Sequence, residues 1–303
     1  MSGKRKIVRA TEQRNARTRG LDLLSTRDLL RALNRQDATV PRAVAREIPA
    51  IARAVETMTR ALSDGGRTFY VGAGTSGRLA TLDASEIPPT FGVPPNLIQS
   101  VIAGGTRALT HAVEGAEDSS SQGAKDLLAR RITSRDVGVG IAASGSTPYL
   151  LGALAAARKV GAATIGITSN RKSPIAKAVK ILIAPNTGAE AITGSTRLKA
   201  GTAQKLVLNM LSTATMVRLG RVYDNWMIGV ALTNQKLRKR GQRILEEATG
   251  ASASESARAL RQAGHDPCIA LIMLKKKVDA TEARRRLRAA NGNVRKALGE
   301  FRK

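Results

Sequence analysis

The sequence predicts an α/β fold: a parallel sheet covered by helices on both faces, with N-terminal helices before it and a small C-terminal helical module after it. Two patterns predict this. Between Arg67 and Pro185, short apolar runs that end in glycine or small residues alternate with amphipathic segments. Strands alternating with helices build right-handed βαβ units and a parallel sheet. Beyond about residue 235 the pattern becomes all-helical and more charged. The 303 residues are 42% hydrophobic, enough to form a sizeable core.

Residues 1–20 are polar and basic and read as a mobile arm. Ser25 or Thr26 starts a helix with Leu29, Leu30 and Leu33 at helical spacing. Residues 40–62 stay helical, with a break near Pro49. "SDGG" is a loop, and "RTFYVGAG" is a short apolar run read as a buried strand. "SGRLATLDASEI" is a helix expected to end near Glu86 or Ile87, because the residue before a proline disfavours helical geometry. "LIQSVIAGG" is a strand, and "RALTHAVEGAED" and "SSSQGAKDLLARRI" read as helices. Three further strands, "VGVGIAASG", "AATIGITSN" and "ILIAP", alternate with the helices "TPYLLGALAAARKVG" and "SPIAKAVK". "RLKAGTAQKLVLNMLSTATMVRLG" is a long helix, and "SESARALRQAG" and "TEARRRLRAANGNVRKAL" are short ones. The expected division is 1–54 for the arm and first helices, 55–222 for a ligand-binding domain and 223–303 for a C-terminal helical region, with a soft boundary near residue 240 where the all-helical character sets in.

Composition excludes several classes. One cysteine, Cys268, makes no disulfide framework or cysteine-rich zinc site, and two histidines make no histidine metal cluster. No metal is expected. His111 and Glu114 have H-x-x-E spacing but read as an exposed or capping pair. No apolar run nears bilayer length, and no apolar stretch follows the basic N-terminus, so neither a membrane span nor a secretory signal is expected. These features favour a cytoplasmic protein. The net charge of +27 would suit nucleic acid, but aromatics are only 2% and the basic residues are spread along the chain. A basic solvated surface with no specific nucleic acid partner is the expectation. Such a field also attracts small anions.

"VGAGTSGRLA", residues 71–80, has the glycine spacing of a dinucleotide fingerprint. That fingerprint also expects an acid near the end of the second strand, and "VIAGG" has none. A Walker loop needs Gly-Lys-Ser/Thr, which "TSGR" lacks. What remains is a strand–glycine–helix anion site, with free N–H groups at the helix start. "AASGSTPY", residues 142–149, is a second such junction. Both loops fall at the carboxyl ends of parallel strands, where ligands bind. Gly74, Thr75 and Ser76 on one, and Ser144, Gly145, Ser146 and Thr147 on the other, therefore suit a small sugar phosphate. The hydroxyls could serve only as helix N-caps, but two such loops in equivalent places favour binding.

"LDASEIPPT" puts Asp83 and Glu86 at i, i+3, with Glu86 at the expected helix end. A carboxylate there is disfavoured by the helix dipole and suits a proton donor. "HAVEGAED" adds Glu114, Glu117 and Asp118, with Glu114 and Glu117 expected on one helix face. Taken singly, each acid reads first as a solvated charge.

Together these motifs resemble the N-acetylmuramic acid 6-phosphate etherase family of the sugar isomerase (SIS) superfamily. The matching segments are "TEQRN", "GAGTSGRL", "LDASEIPPTFG", "IAGG", "HAVEGAED", "GIAASGSTPY" and "GSTRLKAGTAQKLVLNMLST", in family order over most of the chain. The resemblance implies an SIS-type, flavodoxin-like three-layer sandwich that needs no cofactor. It implies cleavage of the C3 D-lactyl ether by elimination and then hydration, in cell-wall amino sugar recycling. It places the catalytic acids at Glu86, as proton donor to the leaving oxygen, and Glu117, and adds Thr196 and Lys199 to the substrate-binding residues.

If Ser76 to Glu86 is one helix, it rises about 15 Å, long for one hexose phosphate to bridge. Glu86 is therefore expected to meet the substrate at a subunit interface of a homodimer. The chain departs from the family at Ser146, where arginine is usual, at Gly229, where aspartate is usual, and at Gln235, where glutamate is usual. An aldose–ketose isomerase and a non-catalytic sugar-phosphate sensor are the alternatives on the same fold.

Overall fold

The computed structural model describes residues 10–300; residues 1–9 of the expected mobile arm lie outside the described residues. From Ala10 onward the arm is not loose. The Gly194 N–H donates to the Thr11 carbonyl at 3.3 Å. Asn15 Nδ2 donates to the Ala189 carbonyl at 3.1 Å and to Gln36 Oε1 at 2.8 Å, and the Thr18 hydroxyl donates to the Ala191 carbonyl at 2.8 Å. Small polar side chains here pair with a loop backbone, which is why a polar composition did not mean a free arm.

Helices α1 (Thr26–Asp37), α2 (Val40–Ala45) and α3 (Ile48–Ser63) follow. Ser25 caps α1 through the Asp28 N–H, and Pro49 lies in the first turn of α3, where its missing donor costs nothing. Strand β1 (Thr68–Gly72) leads into α4 (Gly74–Phe91), and β2 (Ile98–Ile102) into a 3₁₀ turn at Gly105–Leu109. Then come α5 (Ser120–Leu128), β3 (Val137–Ile141), α6 (Pro148–Lys159), β4 (Ala163–Ile167), α7 (Ile175–Ala178), β5 (Ile181–Ile183) and α8 (Lys199–Arg218). The five strands are all parallel, in the order β2-β1-β3-β4-β5. That is the doubly wound order whose switch point lies between β1 and β3. Helix α6 packs on β1, β3 and β4, and α3 packs on β1, β3 and β5. Phe69, Val71, Leu127, Tyr149, Leu150 and Leu154 fill the core on the α5–α6 side.

Two compact units divide the chain. One comprises the residues up to Ala84 together with Ile98–Leu211; the other comprises Ser85–Leu97 and the residues from Ser212 onward. The second unit holds α9 (Gln235–Thr249), α10 (Ala253–Gln262), α11 (Pro267–Lys276), α12 (Ala280–Ala289) and α13 (Val294–Ala297). Its core forms around α11, whose residues Pro267 to Met273 are all buried. Asp266 caps α11 through the N–H groups of Cys268 and Ile269. Burial pushes the Cys268 thiol up to about 12, so it stays protonated at neutral pH.

Two expected elements differ. Helix α4 does not end at Glu86 or Ile87 but runs through Pro88 and Pro89 to Phe91. Ile87 and Phe91 are buried, which rewards the extra turn, and Gly92, at φ 60°, closes it with a bond to the Pro88 carbonyl. Glu86 thus stands more than a turn before the helix end. The stretch "RALTHAVEGAED" is not a helix either: after the 3₁₀ turn it is a loop to Ser119. Gly115, inside this stretch, has φ 70°, which a right-handed helix does not admit. Glu114 and Glu117 therefore share no helix face.

At the end of the sheet away from the strand carboxyl termini, Asp136 joins β1 to β3. It accepts from the Arg67 N–H at 2.7 Å and pairs with the Arg67 guanidinium at 3.0 Å; the Thr133 N–H adds a bond at 2.7 Å. Burial alone would raise its pKa, but the Arg67 and Thr133 bonds outweigh that and hold it below its ordinary value. Its stabilisation is therefore present in full above the unfolded carboxylate's pKa and fades as pH falls through the lowered one. Asp136→Asn is expected to cost about 2–3 kcal/mol at pH 7. The difference from wild type should shrink below about pH 4, measured by urea unfolding at both pH values.

Candidate active site

Because β1 and β3 are neighbours, the loops that follow them open side by side at the switch point. There they line a cavity of about 390 Å³ with Gly74, Thr75, Ser76, Ser144, Ser146 and Thr147. The loop after β1 can approach so closely because Gly77 has no side chain. A Cβ there would sit 2.5 Å from Ile102 Cγ1 and 3.0 Å from the Gly72 carbonyl oxygen. The N-terminus of α4 is thereby drawn over the end of the sheet, and a helix start with free N–H groups is the kind of place that suits an anion.

One of these hydroxyls, that of Thr147, caps no helix: Thr147 occupies the N-cap of α6 but makes no side-chain cap bond. The Ser146 N–H and hydroxyl both donate to Ser144 Oγ, at 3.3 and 3.2 Å, so these two serines form a turn at the cavity wall. Gly145 has φ 68° and stands behind that wall; a Cβ there would run into Ser173 and Thr168. It shapes the loop and does not line the cavity.

Glu117 and Asp118 enter the same cavity from the loop before α5, and Thr196 and Gly194 enter from the segment before α8. The Glu117 loop is held at both ends. Arg78, on α4, donates to the carbonyls of Leu109 and His111 at 3.0 and 2.9 Å. The Tyr149 N–H, at the start of α6, donates to the Glu117 carbonyl at 3.0 Å. Helix α5 in turn lies tight on α6 because Gly123 and Gly152 leave no Cβ to strike the Tyr149 and Ser120 carbonyls. The Tyr149 hydroxyl locks this pair with a 2.6 Å bond to Asp126; burial, and then that carboxylate, raise the phenol's pKa.

Sequence reasoning missed Glu12, which also lines the cavity, from the docked arm. Its only signal was membership of "TEQRN". Three carboxylates, Glu12, Glu117 and Asp118, and no cation therefore border the hydroxyl-lined space. With serine at 146, the lining offers hydroxyls and no guanidinium. His111 and Glu114 line an adjoining small cavity with Arg78, which shares Ala73, Gly74 and Glu117 with the hydroxyl-lined one, and His111 Nδ1 lies 2.8 Å from the Thr110 hydroxyl.

Two expected site residues are not in this lining. Glu86 is exposed on α4, ten residues beyond Ser76 on the same continuous helix. Lys199 is buried at the start of α8, where its Nζ donates to Gln36 Oε1 at 3.4 Å, and it lines a different cavity.

Curated relatives match the chain along nearly its whole length. An N-acetylmuramic acid 6-phosphate etherase of Serratia proteamaculans (strain 568) is 52% identical over 288 residues, covering 95% of this chain and 97% of the relative. The chain belongs to the N-acetylmuramic acid 6-phosphate etherase family. A second etherase, from Geobacillus thermodenitrificans (strain NG80-2), is 49% identical over 289 residues, covering 95% of this chain and 98% of its own. Two domain models agree on the architecture: the glucokinase regulatory protein N-terminal SIS domain matches residues 50–158, and the SIS domain matches residues 111–214. Among solved structures, a phosphoheptose isomerase from Francisella tularensis shares the fold at TM-score 0.50 and 21% identity, covering 64% of this chain and all of that one. A phosphoheptose isomerase from Neisseria gonorrhoeae aligns at TM-score 0.50 and 18% identity, covering 63% of this chain and 98% of that one. The five-stranded sheet described above lies within the residues that the two domain models match.

Proposed function

We propose that this chain cleaves the C3 D-lactyl ether of N-acetylmuramic acid 6-phosphate, giving N-acetylglucosamine 6-phosphate and D-lactate in amino sugar recycling. The observation that carries the reading is the near-full-length identity to etherases, joined to a hydroxyl-lined cavity at the β1/β3 switch point. Thr75, Ser76, Ser144, Ser146, Thr147 and Thr196 hold the phosphate with the N-terminal N–H groups of α4, and Gly74 and Gly145 shape the loops. Ring opening exposes an aldehyde that acidifies the C2 proton. A base takes that proton, the C3–O bond breaks with a proton delivered to the departing lactate oxygen, and water then adds at C3 of the unsaturated aldehyde. Glu86 is the proton donor, and Glu117, beside the phosphate loops, is the second acid–base group. No cofactor enters these steps.

We assign the sugar-phosphate domain to 55–222, between the arm and helices of 1–54 and the helical region of 223–303. We place the protein in the cytoplasm as a homodimer. Among the described residues no helix is long and apolar enough to cross a membrane.

The test is incubation with N-acetylmuramic acid 6-phosphate in D₂O enriched in ¹⁸O. The expected result is D-lactate in equal amount to N-acetylglucosamine 6-phosphate, which carries deuterium at C2 and solvent oxygen at C3. Folded protein that releases no lactate overturns the reading, and aldose–ketose interconversion without lactate release establishes the isomerase instead.

A further inference from the structure

A cavity larger than the hydroxyl-lined one also borders the arm. It has a volume of about 580 Å³ and lies between the docked arm, the α1–α2 corner and the segment after β5. Arg17, Arg42, Arg46 and Lys199 line it, with no aspartate or glutamate in the lining. None of the three arginines is in an ion pair among the described residues.

Lys199 is 3% exposed, and the only described partner of its ammonium is the Gln36 amide oxygen at 3.4 Å. That oxygen also accepts a shorter bond from Asn15, at 2.8 Å. The nearest carboxylate in sequence, Glu190, spends its two oxygens on the backbone N–H groups of Lys199 and Ala200. A buried ammonium with donors to spare and no carboxylate bound to it is costly unless an anion completes it. Burial lowers its pKa; Glu190 and Asp37 oppose this, and Arg17 adds to it. A second observation points the same way. Thr187 is 5% exposed and lines the cavity, and its hydroxyl has no hydrogen-bond partner among the described residues.

We propose that this cavity is a second anion site, one that takes the phosphate monoester of a small metabolite. Three guanidinium forks and an ammonium favour a dianion over a monocarboxylate, and the volume leaves room for an organic group beyond the phosphate itself. The segment that lines it at Thr187 continues to Gly194 and Thr196 of the hydroxyl-lined cavity, and the arm that lines it at Arg17 carries Glu12 there. The two cavities are separate but border the same two segments.

Calorimetric titration tests this with inorganic phosphate, glucosamine 6-phosphate and acetate as probes. The proteins are wild type, the Arg42→Ala/Arg46→Ala double variant, Thr187→Val, and a Ser144→Ala/Thr147→Val variant of the hydroxyl loops. Arg42 and Arg46 are exposed, so their loss leaves the core intact. Wild type should bind two phosphates. The arginine variant should lose one, with its affinity falling about tenfold or more, and the hydroxyl-loop variant should lose the other. Thr187→Val should weaken the first site about threefold to tenfold. Tighter binding of glucosamine 6-phosphate than of inorganic phosphate at that site identifies the monoester as its ligand; equal or weaker binding overturns that part. One phosphate in wild type, lost with the hydroxyl loops, overturns the site, as does acetate binding as well as phosphate. A change of oligomeric state in the arginine variant with phosphate binding intact also overturns it, because a second copy of the chain would then cover the cavity. The titration involves no turnover, so the etherase reading and this one fail independently.

Discussion

Glu117→Gln is expected to lower kcat about 10²–10⁴-fold on N-acetylmuramic acid 6-phosphate while leaving KM within a few-fold of wild type. The reason is local. Glu117 lines the cavity beside Thr75, Ser76 and Ser144, so it is the proposed acid–base group that stands next to the phosphate loops. Its position is fixed by its backbone carbonyl, which accepts from the Tyr149 N–H, and by Arg78 holding the earlier part of the loop. Neither anchor uses the carboxylate, so the amide should leave the loop and the phosphate contacts in place. Asp118 lines the same cavity, and Asp118→Asn provides the contrast. If the two variants lose the same small factor in kcat, the role assigned to Glu117 is wrong. Lactate release under saturating substrate, with KM measured alongside, separates the outcomes.

Much of this site could be read from the sequence, and what could not has physical causes. The strands were legible because each is a short apolar run stopped by glycine or a small residue, as in "RTFYVGAG" and "VGVGIAASG". The two hydroxyl loops followed from the strands, since parallel strands put their following loops at one edge. The Glu117 segment reads as a helix because Leu109, Val113 and Ala116 imitate helical spacing, while the positive φ of Gly115 decides against one. Helix α11 was missed because "PCIALIMLKK" is apolar on every side, which periodicity does not distinguish from a strand. The end of α4 was placed too early because the proline rule is local, whereas burial of Ile87 and Phe91 is tertiary. Glu12 reaches the cavity only because Asn15 and Thr18 dock the arm on residues more than 170 positions away, and nothing in its immediate sequence states that contact.

Glu86 carries the last and sharpest prediction. Glu86→Ala alone should reduce lactate release about 10²–10⁴-fold, comparable to the loss at Glu117, because protonation of the leaving oxygen is assigned to it. Yet Glu86 does not line the cavity that holds Glu117, and α4 is unbroken from Gly74 to Phe91. At about 1.5 Å per residue, the ten residues from Ser76 to Glu86 carry it about 15 Å along the helix. A hexose phosphate anchored at Ser76 does not span that distance and also place C3 against the same chain's Glu86. The proposed homodimer resolves the conflict if each site joins the phosphate loops of one subunit to Glu86 of the other. Mixing inactive Glu86→Ala with inactive Ser144→Ala/Thr147→Val should then restore about a quarter of wild-type activity. Half of the dimers in an equal mixture are hybrids, and each hybrid has one fully intact site of two. Refolding the two variants together, with hybrid formation followed by native mass spectrometry, provides the measurement. Hybrids that form and stay inactive would place Glu86 in its own subunit's site and require α4 to bend or the substrate to bind away from Ser76.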